Sequence, residues 1–539
     1  MIRHRRHRTA CSRKIVFASS LALCAAASLP LRAYAAPFGF DTVVDKAKAL
    51  AAKPYQAPEE VPEFMRKLSY DEFRGIRFDP ENSLWRDSNS RFQVMLVAAG
   101  LFFRYPVTIN VIDGQGVHRL PFHKEYFKTN NADLAKRIPA DLGYAGFKLT
   151  YPINERDVHD QFLVFAGASY FRGVGKDNVF GASGRGLAVN TGLMSGEEFP
   201  DFVEYWLERP SKGASSMRFY ALLDSASVTG AYRFSVSPGR PTRLDVKAAL
   251  FPRDDIELLG IAPLTSMFFY GENTTRPQGQ WRPEVHDSDG LLIHNGTGEW
   301  LWNPLANPKE LETQAFSVDH VKGFGLMQRD QRYDSYQDPE ARSDRRPSLW
   351  VTPQGDWGKG RVMLIEIPSE NETNDNIVAF WSPPDAVDPN QRLDFAYRVE
   401  FGDAGIAGED AGQTLDTFVG LGNVTGGGKA DGAYRVIVDF TGGALEGLDA
   451  NAAVGIDVSA QQGGSAQKYF LTPVDAPVCQ ARQGTCATGG ALRWRVSMLA
   501  RPAEDKPLAL RAFLKKDDKP LTETWTYTLP QANSIRGEE

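Results

Sequence analysis

The chain has 539 residues, of which 24% are charged, and its 61 Lys and Arg stand against 67 Asp and Glu for a net charge of −6. Seven of the basic residues and none of the acidic ones fall in the first 35, so the remainder carries 54 basic against 67 acidic residues, a balance of −13. That excludes nucleic acid and anionic membrane surfaces as expected partners, because both demand basic patches, and it suits a neutral ligand in an acid-rich cleft.

Residues 1–35 read as an export signal. Arg3, Arg5, Arg6, Arg8, Arg13 and Lys14 make a basic start without an acid. A mostly apolar run from Ile15 to Ala27 follows, and Ala33-Tyr34-Ala35 fits the small-x-small rule for cleavage. The apolar run is too short to span a bilayer comfortably. Cys24 follows Leu23, where a lipoprotein signal wants a small residue, so no membrane anchor is expected. His7 and Arg8 weaken the twin-arginine cue of Arg5-Arg6.

FDTVVDKAKALAAK (40–53) predicts a helix, with Asp41 as its cap and Val44, Ala47 and Leu50 at helical spacing. Nearly everything after it reads as short strands between turns such as DGQG (113–116), SPGRP (237–241) and GQW (279–281). In AYRVIVDF the side chains of Tyr434, Val436, Val438 and Phe440 share one face, and Trp525, Tyr527 and Leu529 do so in TWTYTL. The fold class expected is all-β, built of sandwiches. A large domain over 36–402 is followed by a small, acidic, turn-rich linker over 403–413 and a second domain over 414–535. The second has the size and strand spacing of an immunoglobulin-like sandwich. Past the signal only Cys479 and Cys486 remain, in PVCQARQGTC. In an oxidising compartment they are expected to form one local disulfide, with two free thiols as the alternative. Zinc is disfavoured because no His lies near them in sequence.

Several signatures fail. GASGRG (181–186) has Arg185 where a nucleophile elbow needs Gly. GLGNVTGGGK (420–429) lacks the spacing of a nucleotide loop. HDSDG (286–290) begins like a calcium loop, but Leu291 stands where the next oxygen ligand belongs. Neither a metal nor a cofactor is expected. What remains is acids beside aromatics over 270–381, where six of the ten tryptophans lie. Sugar rings pack their C–H faces on aromatic rings, and glycosidic cleavage needs one carboxyl to protonate the leaving oxygen and usually a second to act on water or the anomeric carbon. The plainer readings stand beside this one: tryptophans in sandwiches are mostly core, His286 suits a hydrogen-bonded structural residue, and Asp338, Glu340 and Asp344 suit a solvated run.

In the same region APLTSMFFYGEN (262–273), RPEVHDSDGL (282–291), GEWLWNPLANP (298–308), RRPSLWVTPQGDWGKG (345–360) and ETNDNIVAFW (372–381) resemble the periplasmic glucan biosynthesis G/D family. The resemblance extends to DLGYAGFKLTYPIN (141–154), GASYFRGVG (167–175), SGEEFPDFVEYWLERP (195–210) and LTETWTYTLP (521–530), the last leaning toward the G type. It implies a periplasmic protein of osmoregulated glucan synthesis. The implied fold is a galactose-mutarotase-like N-terminal β-sandwich with an immunoglobulin-like C-terminal one. The implied activity is that of an inverting glycoside hydrolase or transglycosylase on β-1,2-glucan. The general acid of the E-T-N-D-N motif falls on Asp375, and the base of H-D-S-x-G, acting through bound water, falls on Asp287. Glu372, His286, Arg346, Trp350, Trp357 and Trp381 are the expected substrate-binding residues. The rival reading is a scaffold that binds nascent glucan from a membrane synthase without cutting it.

Overall fold

The computed structural model describes residues 38–422, 432–461, 463–474 and 492–531. Cys479 and Cys486 lie outside the described residues, as does the expected export signal. The predicted helix forms over Phe40–Ala51, but its N-cap is Gly39 rather than Asp41, which sits in the first turn. There its charge still complements the helix N-terminus. Val43, Val44 and Ala47 pack on Trp206, Tyr220, Leu222, Ala231, Ala249 and Phe251, so the helix covers the outer face of a sheet.

The rest is β-structure. One sheet runs in the spatial order Gln93–Ala98, Tyr144–Tyr151, Asp160–Ala166, Tyr170–Gly173, Ser183–Arg185, Leu259–Ser266, Ile377–Ser382, Lys359–Glu366 and Glu312–Asp319. A second, 15-stranded sheet packs against it. The interface is aromatic: Phe147 meets Tyr205 and Phe219 edge-on at 5.2 and 5.5 Å, and Phe165 meets Phe234 at 5.0 Å. Each pair joins a residue of the first sheet to one of the second, which makes this a sandwich.

The C-terminal part adds a four-stranded sheet of Gln413–Leu421, Tyr434–Thr441, Arg493–Pro502 and Gly464–Val474. Tyr434, Val436, Val438 and Phe440 all point inward, as the alternation predicts. They face Leu510, Leu514, Trp525 and Tyr527 from the strands Leu508–Lys516 and Thr524–Leu529. Those strands are not a separate layer. Thr524 and Trp525 pair in parallel with Leu301 and Trp302, so the second sheet runs continuously from the large sandwich into the small one. The smaller core therefore also buries Trp300, Trp302 and Trp350. Among the described residues no helix is long and apolar enough to cross a membrane.

Candidate functional site

Asp287 and Asp375 lie far apart in sequence, yet Asp287 and the two residues that follow Asp375 are all tied to one tripeptide, Ser266-Met267-Phe268. Ser266 closes the strand Leu259–Ser266 and pairs with Ile377, two residues past Asp375. Its hydroxyl meets that of Ser288 at 2.8 Å. The amide N–H of Asp287 donates to the carbonyl of Met267 at 2.7 Å. Asn376 fixes the other side: its amide oxygen accepts from the N–H of Phe268 at 2.9 Å, and its amide nitrogen donates to the carbonyl of Phe268 at 3.0 Å. A carboxamide carries a donor and an acceptor together, so Asn376 stands in for a neighbouring strand at this point. The two acids are thus brought to the same end of the first sheet.

Each acid faces an arginine. Asp287 is 6% exposed and forms an ion pair with Arg346. Asp375 is more open, its side chain 26% exposed, with Oδ2 3.3 Å from an Arg172 guanidinium nitrogen. Arg172 is itself held by a 2.7 Å bond to the Ser183 hydroxyl. Glu372 pairs with Arg282 at 2.6 Å, and Arg282 also reaches Asp338 at 3.2 Å. Arg346 is where these charges meet. Burial pulls its pKa down to about 10, while Glu372 and Asp375 pull it up and Arg172 and Arg282 push it down, and it stays charged at neutral pH. Its stem lies against Gly181, where a Cβ would sit 3.0 Å from that of Arg346, so a larger residue there would have to push the Arg346 stem aside. Guanidinium and carboxylate groups on one exposed rim can grip several sugar hydroxyls directionally. The expected solvated run is corrected in part: Glu340 is exposed, but Asp338 and Asp344 are largely buried, paired with Arg282 and Arg342.

His286 is fully buried. Its Nε2 meets Glu284 at 2.9 Å, its Nδ1 meets Gln328 at 3.1 Å, and its ring stacks on Phe268. It lies behind the acids and braces the loop that carries Asp287. Glu284, His286 and Asp289 each bring one ligand atom within 4.8 Å of the others. Both ring nitrogens are engaged, Nε2 by Glu284 and Nδ1 by Gln328, with Asp289 3.5 Å from Nδ1, a setting that favours the charged imidazolium. Burial opposes that charge, but Asp289, Glu284 and Glu272 outweigh it and raise the His286 pKa to about 9. A histidine raised from about 6.5 gives stability that is fully present below that value and is lost as pH rises through the folded pKa. Thermal unfolding followed from pH 6.5 to 10 should show a falling midpoint, and His286→Gln should flatten that fall. A wild-type midpoint that is constant across the window would remove the buried imidazolium.

Two of the three expected substrate-binding tryptophans, Trp350 and Trp381, are corrected. Trp381 is 2% exposed in the core between the sheets, and Trp357 packs on it at 5.2 Å and on Phe395 at 5.7 Å. Trp350 is 4% exposed and leans on Trp300 inside the smaller core. Trp350 and Trp381, buried on both faces, offer none to a sugar, whereas Trp357 is half-buried. Trp381→Ala should therefore cost about 3–5 kcal/mol of stability and leave the glucan affinity of the folded fraction unchanged, read by calorimetry and binding titration. The exposed rings of this region are Trp281, 64% exposed beside Arg282, and Tyr333.

Arg172, Arg185, Tyr170 and Glu197 are not singled out by local sequence patterning but join this region in the fold. Tyr170 and Arg172 share one face of the strand Tyr170–Gly173, and Ser183 and Arg185 share the matching face of its neighbour. Arg185 bonds Glu197 at 2.6 Å and Thr265 at 2.9 Å and sits over the ring of Tyr170. The alternation around Phe171 was the available signal.

The family described as "Periplasmic glucan biosynthesis protein, MdoG" matches residues 38–529. A glucans biosynthesis protein G from Ralstonia nicotianae is 44% identical over 498 residues, covering 92% of this chain and 96% of its own length. One from Serratia proteamaculans is 40% identical over 500 residues, covering 92% and 93%. A probable glucans biosynthesis protein D from Shewanella oneidensis is 41% identical over 517 residues, covering 94% and 91%. Among solved structures, a galactose mutarotase related enzyme from Lactobacillus acidophilus matches 44% of this chain and 97% of its own, at 8% identity and a TM-score of 0.20.

Proposed function

The chain belongs to the family of periplasmic glucan biosynthesis proteins, and on that premise we propose that it acts on β-1,2-linked glucan as an inverting glycoside hydrolase or transglycosylase. Family membership carries the role in periplasmic glucan biosynthesis; the chemistry is our reading of the site. One observation carries it, namely that Asp287 and Asn376, the residue next to Asp375, are bonded to the same short segment, Ser266-Met267-Phe268. An inverting enzyme needs two carboxyls held in a constant relation across the scissile bond, with room between them for water.

In this reading Asp375 gives its proton to the glycosidic oxygen as the bond to the anomeric carbon breaks. Water attacks that carbon from the opposite face and its proton passes to Asp287, through a bound water. Asp375 ends ionised and Asp287 protonated, and solvent restores both. A carboxyl that donates a proton cannot keep Arg172 as its partner, so the arriving glucan must draw that guanidinium onto its own hydroxyls. Asp287 must likewise be freed in part from Arg346, which suits Arg346 as a sugar-binding group.

A second reading has one observation in its favour. Arg172 already occupies the open side of Asp375, as it would in a groove that binds glucan without cutting it and guides it from a membrane synthase. Incubating the protein with linear β-1,2-glucan and sizing the products separates the two. Shorter or rearranged chains support the catalytic reading; bound but unchanged glucan supports the scaffold.

A further inference from the structure

The small C-terminal sandwich is joined by two buried links to the loop of Asp287 and to the segment that supports it. The first runs through Arg329, just past the strand Gly323–Met327. The Arg329 main-chain N–H donates to Oδ2 of Asp289, and that of Asp330 donates to the same oxygen at 2.8 Å. The Arg329 guanidinium points the other way, into the C-terminal part. It forks onto Glu523 at 2.7 and 2.8 Å, reaches Glu409 at 2.9 Å and the carbonyl of Thr414 at 3.2 Å, and lies 3.7 Å from the centre of the Trp302 ring. Glu523 is fully buried and also accepts from the N–H of Thr414 at 2.7 Å. The second link is Glu272, four residues past Phe268, whose carboxylate accepts the N–H of Thr417 at 3.1 Å.

We propose that the C-terminal sandwich is a buttress for Asp287, and that Arg329, Glu523 and Asp289 are positioning residues that transmit its rigidity to the loop 286–289. This rests on the reading above in which Asp287 is the base. Asp287 has one main-chain hydrogen bond of its own, to Met267, and its ion pair with Arg346 must loosen during turnover. The loop is also held by its neighbours: Ser288 on Ser266, His286 on Glu284 and Gln328, the Asp289 main chain on Met327 and Leu305, and the Asp289 carboxylate on the two amides at 329 and 330. Of these anchors, the one at Arg329 is fixed directly by side chains contributed from beyond residue 402. A bidentate guanidinium–carboxylate fork resists rotation as well as stretching, which is what a brace for a catalytic loop requires.

The test uses the full protein carrying Glu523→Gln, which leaves the fork incomplete. Amide hydrogen exchange over 285–291 should speed up, while exchange over 144–151 in the first sheet stays as in the wild type. On β-1,2-glucan kcat should fall by about 10–100-fold with KM within about twofold. Azide, a small anion that attacks the anomeric carbon without a base, should restore turnover both to Glu523→Gln and to Asp287→Ala, and should give none to Asp375→Asn. A protein that was merely destabilised would exchange faster everywhere and would not be rescued. Should Glu523→Gln not fold, Arg329→Lys keeps the buried charge and the main-chain N–H but loses the fork, and the same readouts apply. Unchanged exchange over 285–291, or wild-type kcat in a folded variant, overturns the buttress. If the wild type cuts no glucan, the catalytic reading fails and the exchange result alone decides whether the brace exists.

Discussion

Asp375→Asn should give a folded protein that still binds β-1,2-glucan but cuts it about 10²–10⁴-fold more slowly, the range that a positioned acid commonly supplies. The substitution keeps size and hydrogen-bonding shape and removes only the transferable proton. Its structural cost should be small, because the carboxylate is partly exposed and its ion pair with Arg172 is at the rim, where such pairs contribute about 0–1 kcal/mol. The melting midpoint should therefore stay close to that of the wild type. A glucoside with a phenolic leaving group of low pKa departs without a proton from the enzyme, so Asp375→Asn should cleave it far better than it cleaves glucan. Wild-type cleavage of glucan by the folded variant would dismiss Asp375 as the acid.

Asp287→Asn should slow cleavage by a similar factor, about 10²–10⁴, and here the stability should fall as well. Asp287 is buried against Arg346, and removing one partner of a buried pair leaves an uncompensated charge at a cost of about 3–5 kcal/mol. The contrast between the two variants is a prediction in itself: equal damage to chemistry, unequal damage to the fold. Phenolic leaving groups should not rescue Asp287→Asn, because water still lacks a proton acceptor. The double variant should be far less than multiplicatively impaired, since both groups serve one transition state. Calorimetry alongside initial rates on both substrates checks all of this. Independent, multiplying defects would argue that the two acids do not act on the same bond.

Part of this architecture is legible locally and part is not. The inward face of 434–440 is readable because a strand covered on one side writes its burial in a period of two. The strand Ile377–Ser382 is buried at every position, so nothing in its sequence separates Trp381 in the core from a tryptophan in a groove. Composition near acids suggested the groove, and packing between two sheets decided otherwise. Arg172 escaped notice because a short strand with one polar and one apolar face looks like ordinary surface. The continuous second sheet rests on the pairing of Leu301 and Trp302 with Thr524 and Trp525, residues too distant in the chain to leave a local trace. For the acids the motif resemblance named the residues, while the common support of their segments on Ser266, Met267 and Phe268 came from hydrogen bonds that only the folded chain displays.

Proton NMR of the wild-type protein with linear β-1,2-glucan, recorded before mutarotation scrambles the new reducing ends, tests the central claim most directly. Two carboxyls acting through water invert the anomeric centre, so the account predicts that new α-anomer signals appear first and β-anomer signals grow only as mutarotation proceeds. β-Anomers appearing first, or glucan that binds without yielding any new product, would contradict it.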